Sequence, residues 1–348
     1  MKPTQTPKIV SIARRLVALL VVVAPLSIAT AADDSGSTIE AQARALQRAH
    51  NAVVGLRAHA VEDARSAATL GRVREGSGVV IAREGLVLTI GYLILEADQV
   101  DLQLDGERVV PARVVAYDVA TGFGLVQALA PLRLDPVPLG DARAVTSDEP
   151  LLIASGGEDG DISMARLMSR RSFSGYWEYH IDGALFTSPP RRDHSGAALI
   201  NVNGELVGIG SLIVSDSLGP GQPRVPGNMF VPIDLLKPIY SELRANGSSA
   251  LSQRAWIGIN CAEVNGEVRI IRVNGDSPAD VAGLRVGDRI VRIDGAEVAA
   301  LEPFYKSLWT GGPPEREVAL EVQRNGTSQT LKVQSVDRMK TLKRAGGV

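Results

Sequence analysis

Between Ala52 and Val231 the chain breaks into many short apolar or alternating runs, broken by Gly, Asp and Pro. Ala52 to Ala58 is one, followed by Gly78 to Ile81 and Leu86 to Ile90. Val100-Asp101-Leu102-Gln103-Leu104 alternates strictly and meets a turn at Asp105-Gly106. Val109 to Ala116, Gly124 to Val126, Leu151 to Ala154, Tyr179 to Phe186, Ala198 to Val202, Leu206 to Ile209 and Met229 to Val231 continue the series. Such runs are too short for stable helices, and period-two alternation places one face of each in a core. Many strands at this spacing fold as a sandwich or as barrels, and Asn203-Gly204 marks a hairpin between two of them.

The flanks read differently. Residues 1–31 open with Lys2, Lys8, Arg14 and Arg15, continue in an apolar stretch from Leu16 to Ala24, and end in Ala29-Thr30-Ala31. That order predicts a secretory signal cut after Ala31, leaving no stable membrane span, with an uncleaved N-terminal anchor as the alternative; the expected location is exported and periplasmic. Residues 32–51 are expected to hold a polar linker and a helix from Thr38 to about Asn51, capped by Ser37 with Glu40 three residues on. Without the four basic residues of the signal, 33 basic residues face 39 acidic, a net charge of −6. This argues against nucleic acid as the main partner. The sole cysteine, Cys261, excludes an intrachain disulfide. No histidine or cysteine spacing suits a metal, no cofactor motif is present, and Ser155-Gly156-Gly157 lacks the Lys-Ser/Thr of a phosphate-binding loop.

Past the barrel-like region, Asp234 to Arg244 is predicted to be a helix capped by Asp234, and 248–254 a linker. Residues 255–337 read as a second β-rich unit. Trp256 to Cys261, Val268 to Val273 and Arg289 to Ile293 are its strands. Ser277-Pro278 opens a short helix that Gly283 ends, a second helix lies around Pro303 to Leu308, and Asn325-Gly326 turns a last hairpin. Residues 338–348 are expected to be a disordered basic tail.

Three motifs carry a resemblance. Gly76-Ser77-Gly78-Val79-Val80-Ile81, the strand Leu86 to Ile90, and the segment His194-Ser195-Gly196-Ala197-Ala198 through Gly208-Ile209 resemble the HtrA/Deg family. Those are exported trypsin-like serine proteases followed by PDZ domains. Trp256-Ile257-Gly258-Ile259 resembles a PDZ carboxylate-binding loop, and the stretch from Asp276-Ser277-Pro278 to Asp288, with Ile290 and Asp294-Gly295, resembles the PDZ core signature. The resemblance implies a trypsin-like double six-stranded β-barrel over 52–247 and a PDZ domain with two short helices over 255–337.

It also implies a Ser-His-Asp triad, which this chain does not complete. Ser195 stands at the nucleophile position, but Tyr92 stands where the histidine belongs and Gly122 where the aspartate belongs. Serine needs an adjacent base held in the right tautomer by a carboxylate. A neutral phenol is a poor base near pH 7, and glycine orients nothing. Asp193 takes the place of the oxyanion-hole glycine, and Ala197 replaces a second glycine. His194, adjacent to the serine, is expected to point away from its hydroxyl. His50, His59 and His180 are expected to be packed or surface residues, and Asp118 to cap its own turn.

Binding needs no triad. A peptide strand is expected to lie beside Ile257, Gly258 and Ile259 with its C-terminal carboxylate on their amides, and Phe304 and Leu308 to line the side-chain pocket. The expected function is therefore an exported, proteolytically inactive homologue that binds peptide C-termini or unfolded proteins in envelope quality control. Family resemblance implies trimers of this chain or assembly with an active relative. Two alternatives are an active serine endopeptidase using Ser195 with an unconventional base, and an envelope scaffold or regulatory subunit of an active relative.

Overall fold

In the computed structural model the described residues are 32–104, 108–158 and 160–343; the predicted signal segment and the Asp105-Gly106 turn lie outside them. Helix α1 (Ala32–Asn51) begins before Ser37, so that serine falls inside the helix and not at its cap. Leu46 and Ala49 seal its last turns against the barrel, and the chain enters β1 (Val53–Ala60) within two residues. A single helical turn, α2 (Ala67–Leu70), precedes β2 (Val73–Ala82).

With β3 (Leu86–Ile90), β4 (Ala97–Leu104), β5 (Arg108–Tyr117) and β6 (Phe123–Ala128), these strands close a barrel in the order β1-β2-β3-β6-β5-β4. The alternation of Val100, Leu102 and Leu104 carries through: Val100 and Leu102 are buried and their neighbours are not. Every residue of β3 is buried, including Thr89, whose hydroxyl donates to the Ser77 carbonyl at 2.7 Å. Each such Leu or Ile contributes roughly 1.5–3 kcal/mol on leaving water.

The second barrel comprises β7 (Pro150–Ala154), β8 (Ile162–Gly175), β9 (Tyr179–Ser188), β10 (Ala198–Ile200), β11 (Leu206–Val214) and β12 (Gly227–Pro232), closed as β10-β11-β12-β9-β8-β7. Asn203-Gly204 lies between β10 and β11 as expected, with Gly204 at φ +75°. A 3-10 turn (Ile233–Leu235) then leads to α3 (Tyr240–Asn246). The expected single helix from Asp234 is split because Pro238 lacks an N–H and disfavours helix in the residue before it. Asp234 binds the Ala142 amide and Lys237 instead of capping.

The third unit starts with β13 (Ala255–Trp256), β14 (Ile259–Val264) and β15 (Glu267–Val273). The turn-length α4 (Pro278–Val281) is capped by Ser277, whose side chain accepts from the Asp280 amide. Then follow β16 (Arg289–Ile293), β17 (Ala296–Glu297), α5 (Leu301–Thr310), β18 (Glu317–Arg324), β19 (Thr327–Gln334) and β20 (Val336–Asp337). β14 to β19 form one sheet, and β13 pairs with β20. The Asn325-Gly326 hairpin has both turn residues at positive φ.

The tail is not disordered at its start. Arg338–Thr341 is a 3-10 turn, and the chain returns to the first barrel, where the Lys343 amide donates to Glu96 at 3.0 Å and its ammonium pairs with Asp63. Charge partners on the barrel surface fix this segment, which composition alone does not show.

Candidate functional site

The strand register sets the first site. Thr89 pairs with Gly124 and Ile90 with Phe123, so the 3-10 turn Gly91–Leu93 at the end of β3 abuts the turn that opens β6. The Gly91 amide donates to the Gly122 carbonyl at 2.6 Å. Across the cleft, the loop before β10 presents Ser195, whose carbonyl accepts from the Ser77 amide at 2.8 Å. Tyr92 and Ser195 therefore meet as the alignment of motifs predicts: Tyr92 Oη lies 2.8 Å from Ser195 Oγ.

Tyr92 Oη also lies 2.9 Å from the Ser211 carbonyl oxygen. A phenol has one hydrogen, and a carbonyl can only accept. Tyr92 thus donates to Ser211, and the Ser195 hydroxyl donates to Tyr92. The Ser211 carbonyl is aimed there by a register shift in β11 between Gly210 and Leu212. Burial pushes the Tyr92 phenol up to about 12, with the Ser195 bond working weakly the other way. At pH 7 the phenolate fraction is then about 10⁻⁵. The serine has an acceptor but no base.

At the aspartate position, Gly122 has φ +79°, and a Cβ built there would lie 2.8 Å from Tyr179 Oη. The Tyr179 phenol donates to the Thr121 carbonyl at 2.7 Å and fills the space an orienting carboxylate would need. Asp118 does not substitute. One of its oxygens accepts from the Thr121 amide at 2.8 Å and from the Thr121 hydroxyl, the turn-capping role its position suggests.

The oxyanion loop is also occupied by its own charge. The Asp193 carboxylate pairs with Arg191 and accepts from Ser155 Oγ. Burial alone would raise this carboxyl, but Arg191 and Ser155 outweigh it and hold it below its usual range. His194 turns its Nδ1 to the carbonyls of Arg191 and Arg192, and its ring also bonds the Ser211 backbone. His50 lies in α1 and His59 in β1. His180 bonds Ser174 Oγ and Asp182 at the edge of the second barrel. Asp182 and Glu302 approach it too, and the Lys306 ammonium, 3.2 Å and 2.7 Å from those two carboxylates, supplies the positive charge there.

The second site lies on the third unit. The Ile257, Gly258 and Ile259 amides converge, as a carboxylate-binding loop requires. They converge on Glu178, from the tip of the β8–β9 hairpin: Ile257 N at 3.2 Å, Gly258 N at 2.7 Å and Ile259 N at 2.9 Å. Gly258 is needed for a reason other than ligand approach. It has φ +86°, and a Cβ there would collide with the Ser277 side chain. Phe304 and Leu308 are fully buried in the core of this unit. From α5, Tyr305 reaches the hairpin tip: it donates to the Gly175 carbonyl at 2.9 Å and accepts from the Glu178 amide at 3.3 Å.

Two closed six-stranded barrels with a serine loop between them, followed by this third unit, define a trypsin-like peptidase fold joined to a PDZ domain. Residues 76–209 match the trypsin-like peptidase domain family and residues 255–334 the PDZ domain family. The chain thus joins a trypsin-like peptidase domain to a PDZ domain, and its relatives are periplasmic serine proteases of HtrA/DegP type. It is 29% identical over 281 residues to "Probable periplasmic serine protease do/HhoA-like" of Haemophilus influenzae, covering 74% of this chain and 57% of that protein. It is 26% identical to "Periplasmic serine endoprotease DegP" of Salmonella typhimurium, covering 74% and 56%. The chain thus spans a little over half the length of these relatives. The solved "HtrA-type protease AlgW with decapeptide" shares the fold, with TM-score 0.54 and 21% identity over 85% of this chain and 98% of that one.

Glu178, Tyr179, Ser211, Tyr305 and Arg338 were not candidates from the sequence. One signal was available. Gly175 pairs with Tyr179, so Tyr176-Trp177-Glu178 is a three-residue hairpin loop. Its last position favours Gly at positive φ, and Glu178 holds φ +54°.

Proposed function

We propose that this chain is an exported pseudoprotease of HtrA/Deg type, acting in the envelope by binding peptide C-termini or unfolded segments and not by cleaving them. The observation that carries the first half is the Tyr92–Ser195 pair, with the phenol's proton directed to Ser211. Loss of the orienting carboxylate alone costs about 10⁴ in turnover in triad enzymes, and here the base is replaced as well. The binding half is supported by the convergence of three loop amides on a carboxylate. Location in the periplasm is supported by the predicted signal and by the names of the relatives. Among the described residues no helix is long and apolar enough to cross a membrane.

A fluorophosphonate probe on the purified protein tests the first half. Labelling no greater than in Ser195→Ala is expected, with casein and unfolded substrates intact after long incubation. Stoichiometric labelling that Ser195→Ala abolishes would overturn the reading.

A further inference from the structure

We infer that the β8–β9 hairpin tip is the resident ligand of the PDZ groove, with the Glu178 carboxylate standing in for a peptide C-terminus. An outside peptide with a free carboxylate and this tip then compete for the same three amides. The inference rests on the reading of Ile257–Ile259 as the peptide site.

The tip meets the groove as an added strand does. The Cys261 amide of β14 donates to the Tyr176 carbonyl at 2.8 Å, and the carboxylate follows two residues on. Main-chain pairing plus a captured carboxylate is how a PDZ groove holds an extended peptide. The tip is shaped for this. Glu178 is 1% exposed and takes a left-handed backbone that glutamate rarely adopts. Its own carbonyl and that of Trp177 accept from the Arg338 guanidinium at 2.7 Å and 3.2 Å, so the chain just past β20 braces the tip from behind. Burial pushes the Glu178 carboxyl up, while Arg338 and the three loop amides pull it back. Buried without those donors, an ionised carboxylate would be untenable.

A tethered ligand has an effective concentration in the millimolar range. A peptide's apparent affinity falls by the fraction of molecules in which the groove is free. Removing the tethered carboxylate therefore raises affinity for outside peptides without changing the groove.

The test compares the full chain with Glu178→Gln and Glu178→Ala. Glu178→Gln keeps one acceptor for the loop and guards against a variant that does not fold. Fluorescein-labelled short peptides ending in Val, Phe or Tyr, each with a free carboxylate or an amide, are titrated by polarisation. Amide hydrogen exchange over 257–261 is followed in parallel, relative to barrel strands. The expected result is faster exchange at 257–261 in both variants, and free-carboxylate peptides bound about tenfold or more tightly than by the wild type. Amidated peptides should gain nothing. Faster exchange with no peptide bound by any of the three proteins would leave the resident carboxylate standing and sink the peptide-binding function. Unchanged exchange in both variants, or a wild type that binds as tightly as they do, would overturn the inference.

Discussion

Tyr92 Oη and Ser195 Oγ lie 2.8 Å apart, the separation of a base and its nucleophile, but the partner of the serine is a phenol. The phenol is buried, protonated and committed to the Ser211 carbonyl. On the proposed reading the contact is a structural hydrogen bond in the place where a catalytic one would lie.

Restoring the histidine alone should therefore not restore activity. Tyr92→His is expected to give no fluorophosphonate labelling above Ser195→Ala, because no carboxylate faces the new imidazole from position 122. Tyr92→Phe should cost about 1 kcal/mol, the worth of a typical net hydrogen bond, since it removes one donor to the Ser211 carbonyl. Urea denaturation measures the second effect, and a labelled Tyr92→His protein would refute the first.

Gly122→Asp should destabilise the fold by roughly 1–3 kcal/mol, through positive φ and crowding of Tyr179. Adding Tyr179→Phe removes the crowding oxygen, so the double variant should lose less than the sum of the two single ones. Additive losses in a double-mutant cycle would show that the two residues do not compete for this space.

In the PDZ domain, Asp288 accepts from Arg324 Nε and Nη2 at 2.6 Å and 2.7 Å and from the Arg285 amide. Burial alone would raise its carboxyl, but these partners outweigh it and hold it below the usual range. Its native pKa is thus lower than its unfolded one. Its stabilisation is present above about pH 4 and is lost as pH falls through the depressed value. Asp288→Asn should cost about 3 kcal/mol near neutrality, the low end for a broken buried pair, since Arg324 still touches solvent. The variant should also lose part of the acid-side slope of stability, which denaturant midpoints taken from pH 3 to 6 would reveal.

Arg338→Ala should speed amide exchange in 175–179 while leaving the first barrel's strands protected. It removes the donor to two tip carbonyls, a loss of roughly 1–3 kcal/mol locally. Equal exchange in variant and wild type would mean the tip holds without this brace.

Cys261 should not react with a thiol reagent in the native protein, even at pH 9. Burial pushes its thiol well up, so neither thiolate nor access is present. Rapid reaction without unfolding would contradict its place in β14.

The sequence by itself determined the β-rich pair of units, and it singled out Ser195, Tyr92, Gly122 and the Ile257–Ile259 loop as the positions to compare. Those features are local: alternation, turn residues and fixed spacing each act within a few residues. Local signals also failed in places, as when Pro238 split a helix or surface charge held residues 338–343 in place. What only the tertiary structure decided is which groups fill the gaps. Tyr179 reaches Gly122 across 57 positions, and Glu178 reaches Gly258 across 80. Each partner is chosen by barrel closure and domain packing, which bring distant residues together at no cost visible in either local stretch. Two adjacent residues of one hairpin thus face two sites. Tyr179 fills the space beside Gly122, and Glu178 supplies a carboxylate to the Ile257–Ile259 amides.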